Sequence, residues 1–454
     1  MIVEALPILM IGALALLLFT GFPVAYVLGG VGLVFALVGS SLGVFPFARF
    51  LIMPGRVFGG IAENLVLVAV PMYIFMGTVM TASGVARDLL ICLQVLMRRM
   101  PGSLSLAVVV MGTILAATTG IVGASVIMIT LLALPVMLER GYSKSLATGT
   151  IAASGSLGIL IPPSIMLVVM ADLLATSVGG LFVAALLPGL LLSALYAGLI
   201  VLTAKLRPEL APPMADDAGP QNTGELVLLL FKGFIAPTAL IVLVLGSIIL
   251  GWASPMEASG VGAFGAVLLA VLNGRWRFRF WNRCVQETAV TNAMLFMIFI
   301  GATVFAFVFR ALGGDELVGG LFEQLGLGPW GVLIVMMLII FALGFFFEWI
   351  EITLIVIPLF APIVRLLDFG DHVAQADVIL WFAILMAVNL QTSYLTPPFA
   401  ITLFYMRGIT PPNVKMTHMY RGVLPFAGMQ MIALALIVYF PQIALWLPTL
   451  VFSE

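Results

Sequence analysis

Long apolar runs, rather than any alternation of apolar and polar positions, organise this chain. They fall near 5–20, 24–45, 64–82, 103–118, 123–138, 146–170 and 179–203, and resume near 226–250, 256–272, 288–311, 330–347, 350–367, 378–395, 398–406 and 423–449. Most reach the roughly 20 residues that a helix needs to cross about 30 Å of hydrocarbon, so each is predicted to be a spanning or half-spanning helix. Two runs carry a Pro pair, in GILIPPSI (158–165) and SYLTPPFA (393–400). Each proline removes an amide donor and clashes with the preceding turn. Lipid cannot satisfy the freed carbonyls, so such breaks belong where they face protein or a watery cavity. The same break in corresponding places of two halves points to a transporter binding site.

Composition supports the same class. Apolar residues make up 63% of the 454 and charged residues 9%, far below the quarter or so of soluble domains. The chain is therefore read as an all-α polytopic membrane protein embedded in a lipid bilayer. The net charge of −1 carries no message about nucleic acid, and the long basic tracts of such binders are absent, so no nucleic-acid partner is expected. Cys92 and Cys284 lie far apart without metal-ligand spacing, and no disulfide is expected. The first 19 residues lack a basic n-region and a small-residue cleavage site, so they read as a first spanning helix. The polar stretch 273–284 (NGRWRFRFWNRC) reads as a cytoplasmic loop obeying the positive-inside rule.

The polar, Pro-rich segment 204–225 divides two halves that repeat one order of devices. Each half has an apolar arm, a polar or Gly-rich interruption, a returning arm and a Pro-Pro-broken helix. The interruptions around 118–125 and 346–353 are expected to be tips of re-entrant hairpins. The resulting division is 1–60 (N-terminal scaffold helices), 61–203 (first repeat), 204–225 (linker), 226–430 (second repeat) and 431–454 (end of the last helix). Small polar groups gather at the interruptions. They are Thr118, Thr119, Gly120, Gly123 and Ser125, then Ser154, Gly155, Ser156 and Gly158; in the second half Gly344, Glu348, Glu351 and Thr353, then Asn389, Gln391, Thr392, Ser393 and Thr396. Hydroxyls, amides and freed carbonyls suit a hard cation with oxygen ligands. Half-helix N-termini present amides to an anionic group. Singly, such residues also serve close helix packing.

Ionisable groups within spans are costly unless paired or wet. Glu348 and Glu351 are three apart and share a helical face. Arg310, Glu63, Asp172 and His418 fit interfacial positions equally well, and Glu257 follows Ser254-Pro255. No nucleotide, zinc or flavin signature is present, so no enzyme is expected and coupling to an ion gradient fits better than ATP hydrolysis. A respiratory proton pump would show lysines in mid-span, whereas Lys144 and Lys205 lie at span ends.

Several strings carry a family resemblance: VPMYIFMGTVMTASGVARDLL (70–90), LPVMLERGY (134–142), TGTIAASGSLGILIPPSIMLV (148–168), LFVAALLPGLLL (181–192), SPMEASGVGAFGAVLL (254–269), AVNLQTSYLTPPFAITLFYMRG (387–408) and YRGVLPF (420–426). In this order they resemble the large membrane subunit of tripartite ATP-independent periplasmic (TRAP) transporters. The resemblance implies two inverted-topology repeats, with an elevator-type scaffold and transport domain, in the bacterial inner membrane. It implies a sodium-coupled importer of organic acids that works with a small four-helix membrane subunit and a periplasmic binding protein. It places one Na+ site at Thr119, Gly158, Ile161 and Pro163 and a second at Gly344, Ser393, Thr396 and Phe399, several of them acting through carbonyls. Substrate contacts in this frame are Thr118, Gly123, Ser125, Ser164, Glu348, Glu351, Thr392 and Pro398. Two departures stand out: Ser125 falls where many members carry Asp, and Glu348 also replaces an expected Asp. The alternative reading is a self-sufficient ion-coupled organic-anion transporter that needs no binding protein.

Overall fold

The computed structural model describes residues 2–119, 122–212, 223–324, 326–397 and 399–452, and every regular element among them is helical. Nine of these helices are long and apolar enough to span a membrane, from Val24–Ser41 to Met416–Tyr439. Their boundaries follow local chemistry. Asn64 Oδ1 accepts from the Val66 amide to open the helix Leu65–Ser83, and Gly84, at φ 92°, closes it. Glycine is needed there because side chains rarely tolerate positive φ. Ser254 and Glu257 form a capping box with Pro255 in the first helical turn, which accounts for Glu257 as a local cap.

Four spans form two parallel pairs. Val24–Ser41 runs beside Phe278–Ala311, where Gly29 and Gly32 lie against Gly301 and Val304. Leu65–Ser83 runs beside Pro255–Leu272, with Gly262 against Met76 and Arg275 donating to the Ser83 carbonyl at 3.1 Å. The two pairs exchange under the repeat: Val24–Ser41 corresponds to Pro255–Leu272, and Leu65–Ser83 to Phe278–Ala311, in opposite directions. Around these pairs stand two hairpins and two broken helices.

The first hairpin comprises Ser103–Thr119 and Val122–Glu139. Its two ends lie together, because the Leu104 amide donates to the Tyr142 hydroxyl at 3.2 Å. The second comprises Pro329–Leu343 and Trp349–Val364, and its base is closed by Trp330 against Phe369 at 5.0 Å. Both therefore enter and leave from one side. Lys144 reaching the Asn413 carbonyl (2.9 Å) joins the first hairpin's base to the start of Met416–Tyr439, and the Ser143 amide reaching the Leu210 carbonyl (2.9 Å) joins it to the segment just after Val178–Leu206. Traced along the spans, Arg49, Arg56, Arg310 and Arg365 fall on one face and the other Lys and Arg residues on the opposite one. The positive-inside rule assigns the basic face to the cytoplasm. The second hairpin enters from the opposite face, as an inverted repeat requires.

Some elements depart from the sequence reading. The amphipathic helices Val85–Met97 and Gly314–Gln324 precede the two hairpins and were hidden because neither is long and apolar throughout. The run 423–449 divides at Phe440, just before Pro441, into Met416–Tyr439 and Gln442–Phe452. The second tip spans Gly344–Glu348, so Glu351 and Thr353 sit inside the returning helix rather than at the bend. Part of the proposed linker, 213–222, lies outside the described residues.

Candidate functional site

The two broken helices place the polar groups. In the first, Lys144–Ser156 ends in a short turn, Leu157–Ile159; Leu160–Ser164 is irregular, and Ile165–Leu173 resumes the helix. Ser164 spans the break by donating to the Ile159 carbonyl at 2.7 Å. The Val168 amide donates back to the Ser164 carbonyl (3.2 Å), but those of Ile165, Met166 and Leu167 find no acceptor among the described residues. Such amides at a helix start suit an anionic group. Gly158, Ile161, Pro163 and Ser164 are all buried in this break. Close packing seats it: a side chain on Gly112 would meet Ser154 at 2.7 Å, and one on Gly155 would overlap Val126 of the first hairpin.

In the second, Val378–Leu395 is buried along nearly its whole length. That helix carries Thr392, whose hydroxyl donates to the Val388 carbonyl (3.2 Å), and Ser393, which donates to Leu390 (2.7 Å). Thr396, just past its end, donates to the Thr392 carbonyl at 2.7 Å. Each hydroxyl thereby spends its proton locally and keeps oxygen lone pairs for another partner. Gly344, ending the outgoing arm of the second hairpin, sits so close to the Ser393 hydroxyl that no Cβ would fit. Asn389 ties the same arm down by donating to the Met337 carbonyl at 2.7 Å. Phe399 remains partly exposed and packs on Phe346 of the second tip, 4.7 Å between rings.

The tips meet through a residue that sequence reasoning missed. Tyr405, on the helix Ile401–Arg407 after the second break, donates its hydroxyl to the Glu348 carboxylate at the second tip. The ring of Tyr405 also lies 3.0 Å from where a side chain on Gly123, at the first tip, would begin. Gly123, Tyr405 and Glu348 thus join both hairpins and the second broken helix at one place. Glu351, one turn into the returning helix, keeps one carboxylate oxygen buried without a hydrogen bond among the described residues. Nothing local marks Tyr405 in the sequence as different from other aromatics in apolar runs. Ser125 is buried behind the first tip. The side chains of Thr118 and Thr119, and all of Gly120 and Pro398, lie outside the described residues.

Candidates read as interfacial have their own partners. Asp172 accepts from Asn64 at 2.7 Å, Arg310 donates to the Pro358 carbonyl at 2.9 Å, and His418 accepts from the Lys415 amide at 3.1 Å. Glu63 is exposed. Among the described residues no group of three or more His, Cys, Asp or Glu could hold a metal ion. Any cation bound at the breaks would use hydroxyl and carbonyl oxygens.

Comparison with known proteins adds to this geometry. The family model described as "Tripartite ATP-independent periplasmic transporter, DctM component" matches residues 11–443. The chain is 30% identical over 460 residues to the C4-dicarboxylate TRAP transporter large permease protein DctM of Rhodobacter capsulatus, covering 98% of this chain and 99% of that one. It is likewise 30% identical over 388 residues to the protein of the same name from Pseudomonas aeruginosa, covering 85% and 87% respectively. Among solved structures it resembles the Alcanivorax borkumensis YdaH transporter, with TM-score 0.59, 16% identity and 88% of each chain covered. At that identity the likeness concerns the fold alone.

Proposed function

Because the chain belongs to the DctM component family of tripartite ATP-independent periplasmic transporters, we propose that it carries organic acids inward across a bacterial inner membrane in symport with Na+. The family implies a small membrane subunit and a periplasmic binding protein as partners. In this reading the binding protein delivers the substrate, and the two-hairpin domain carries it past the scaffold in an elevator movement. The carrying observation is the meeting of Gly123, Tyr405 and Glu348, which gathers both tips and the second break around one point. The unpaired amides of Ile165 to Leu167 would receive a carboxylate. Na+ would bind at Gly158, Ile161 and Pro163 with Thr119, and at Gly344, Ser393, Thr396 and Phe399. Support for the second set is the contact of Gly344 with Ser393 and the lone pairs that Ser393 and Thr396 retain after donating to backbone carbonyls. The curated relatives compared above are both named for C4-dicarboxylates, which supports the organic-acid class.

The test is uptake of labelled succinate and other organic acids into proteoliposomes holding this chain and its small membrane subunit. Inward sodium, inward proton and no gradient are compared, each with and without the binding protein. Uptake that needs both sodium and the binding protein supports the proposal. Uptake without the binding protein selects the self-sufficient transporter, and uptake driven by protons alone removes the sodium sites. Thr396→Ala provides the residue-level check: the sodium concentration for half-maximal uptake should rise several-fold while the thermal midpoint falls by no more than the loss of one neutral hydrogen bond, about 1 kcal/mol, brings. Unaltered sodium dependence in a folded variant would sink the assignment of Thr396.

A further inference from the structure

A basic cavity of about 780 Å³ opens beside the first hairpin tip, away from the Tyr405 contact. Its mouth holds Arg275 and Arg277, from the segment between Pro255–Leu272 and Phe278–Ala311, and Arg279 and Arg283, from the first turns of the latter helix. One acidic residue, Glu287, lines it and pairs with Arg283 at 2.7 Å. Arg275 is held to the Ser83 carbonyl (3.1 Å), while Arg277 and Arg279 are exposed and make no ion pair among the described residues. The wall is the small polar face of Leu65–Ser83, with Gly77, Thr78 and Thr81, and the cavity extends to Ile74. From Ser83 to Ile74 the helix rises about 14 Å. At that depth the cavity reaches Ala124 in the first turn after the tip, a residue exposed to it. Hydroxyls and charges lining a cleft within an apolar bundle are costly unless the cleft is wet. The mouth lies on the face that the positive-inside rule assigns to the cytoplasm.

Orientation alone does not require this placement. A positive-inside loop needs arginines near the interface, whereas here they ring a cleft that runs inward to the transport hairpin. Clefts with one sign of charge and low-dielectric walls focus the field and concentrate counter-ions. We propose that this vestibule is the cytoplasmic antechamber for the substrate, in which Arg277 and Arg279 hold a small carboxylate anion between the first hairpin tip and the cytoplasm. The proposal rests on the organic-acid reading above and adds the exit path and the residues that line it. The same guanidinium chemistry would also take a lipid phosphate, so the test separates the two.

Thr81→Cys and Ala124→Cys are placed singly in a chain whose buried Cys92 and Cys284 are replaced by Ser. Each variant, in phosphatidylcholine nanodiscs, is treated with anionic sulfonatoethyl methanethiosulfonate or with its cationic trimethylammonioethyl analogue. After correction for intrinsic thiol reactivity, the anionic reagent should react roughly tenfold faster at both positions. Arg277→Gln with Arg279→Gln should bring the ratio to near parity, and the paired Lys substitutions should preserve it, because both residues are exposed and only their charge is needed. Parity in the parent, or a preference that survives the Gln pair, overturns the proposal. Failure of either reagent to reach Ala124→Cys overturns the connection to the hairpin. If adding phosphatidylglycerol abolishes the preference, lipid headgroups occupy the arginines and the antechamber reading fails. Labelling does not depend on uptake. A persistent anion preference in a chain that imports no carboxylate would refute the reading beneath the proposal and leave the basic cavity intact.

Discussion

The two Pro-Pro breaks occupy equivalent places in the inverted repeats yet are built differently. The first is sealed: Gly158 to Ser164 are buried, and Ser164 ties the two half-helices together through the Ile159 carbonyl. The second is partly open, with Phe399 exposed at 39%, Ala400 at φ 42° and Tyr405 reaching across to Glu348. Their hairpins differ to match. Small residues such as Gly123 and Ser125 lie at or just behind the first tip, whereas the second carries three consecutive phenylalanines and Glu348, with Glu351 one turn into the returning helix. Phe346 of that tip packs on Phe19, just past the end of the first helix, at 5.1 Å, a contact supplied from outside the repeat. Inverted duplication thus preserves the backbone device, a helix opened in the membrane. The side chains around each copy decide how far the opening is covered.

Substitutions can break or sharpen this contrast. Gly344→Ala should have the largest effect, because the new methyl overlaps the Ser393 hydroxyl on a helix that has no room to retreat. Overpacking of this kind costs about 1–3 kcal/mol. A lowered thermal midpoint together with near-complete loss of uptake is expected, and wild-type values for both would show that the two arms are not in contact. Gly155→Ala tests the same packing in the sealed half, where Val126→Ala in the same chain should restore the thermal midpoint. Tyr405→Phe comes next. It removes the donor to a half-buried carboxylate, a bond of about 1.5–3 kcal/mol, so uptake should fall several-fold with little change in the amount of folded protein. The smallest effect is expected for Ser164→Ala, which loses a neutral hydrogen bond of about 1 kcal/mol. Thermal unfolding should detect it, and a drop as large as that of Gly344→Ala would mean that the sealed break bears more of the fold than its contacts indicate.

Much of the architecture was legible in the sequence because membrane burial constrains the pattern so tightly. Apolar runs of spanning length and the duplicated Pro pairs located nearly every long helix and both breaks. Val85–Met97 and Gly314–Gln324 escaped notice because an amphipathic helix beside the bilayer needs only one apolar face. The second hairpin tip was placed too late, since Trp349, Ile350 and Glu351 continue a helical pattern that gives no local sign of where the bend ends. Tyr405 and the arginine-lined cavity were hidden for another reason. Each acquires its role from residues hundreds of positions away: Tyr405 from Gly123, and Arg277 and Arg279 from the helix Leu65–Ser83.

The sequence by itself determined that this chain lives in a membrane, that its halves repeat and that each opens a helix at depth. Those outcomes follow from the cost of exposing backbone or charge to lipid, which every residue meets locally. Only the tertiary structure decided that both tips converge on Tyr405, which break stays sealed, and that the arginines of 275–283 ring a cleft rather than an open surface. These depend on which helices lie side by side, and close approaches such as Gly344 to Ser393 are set by packing across the whole bundle.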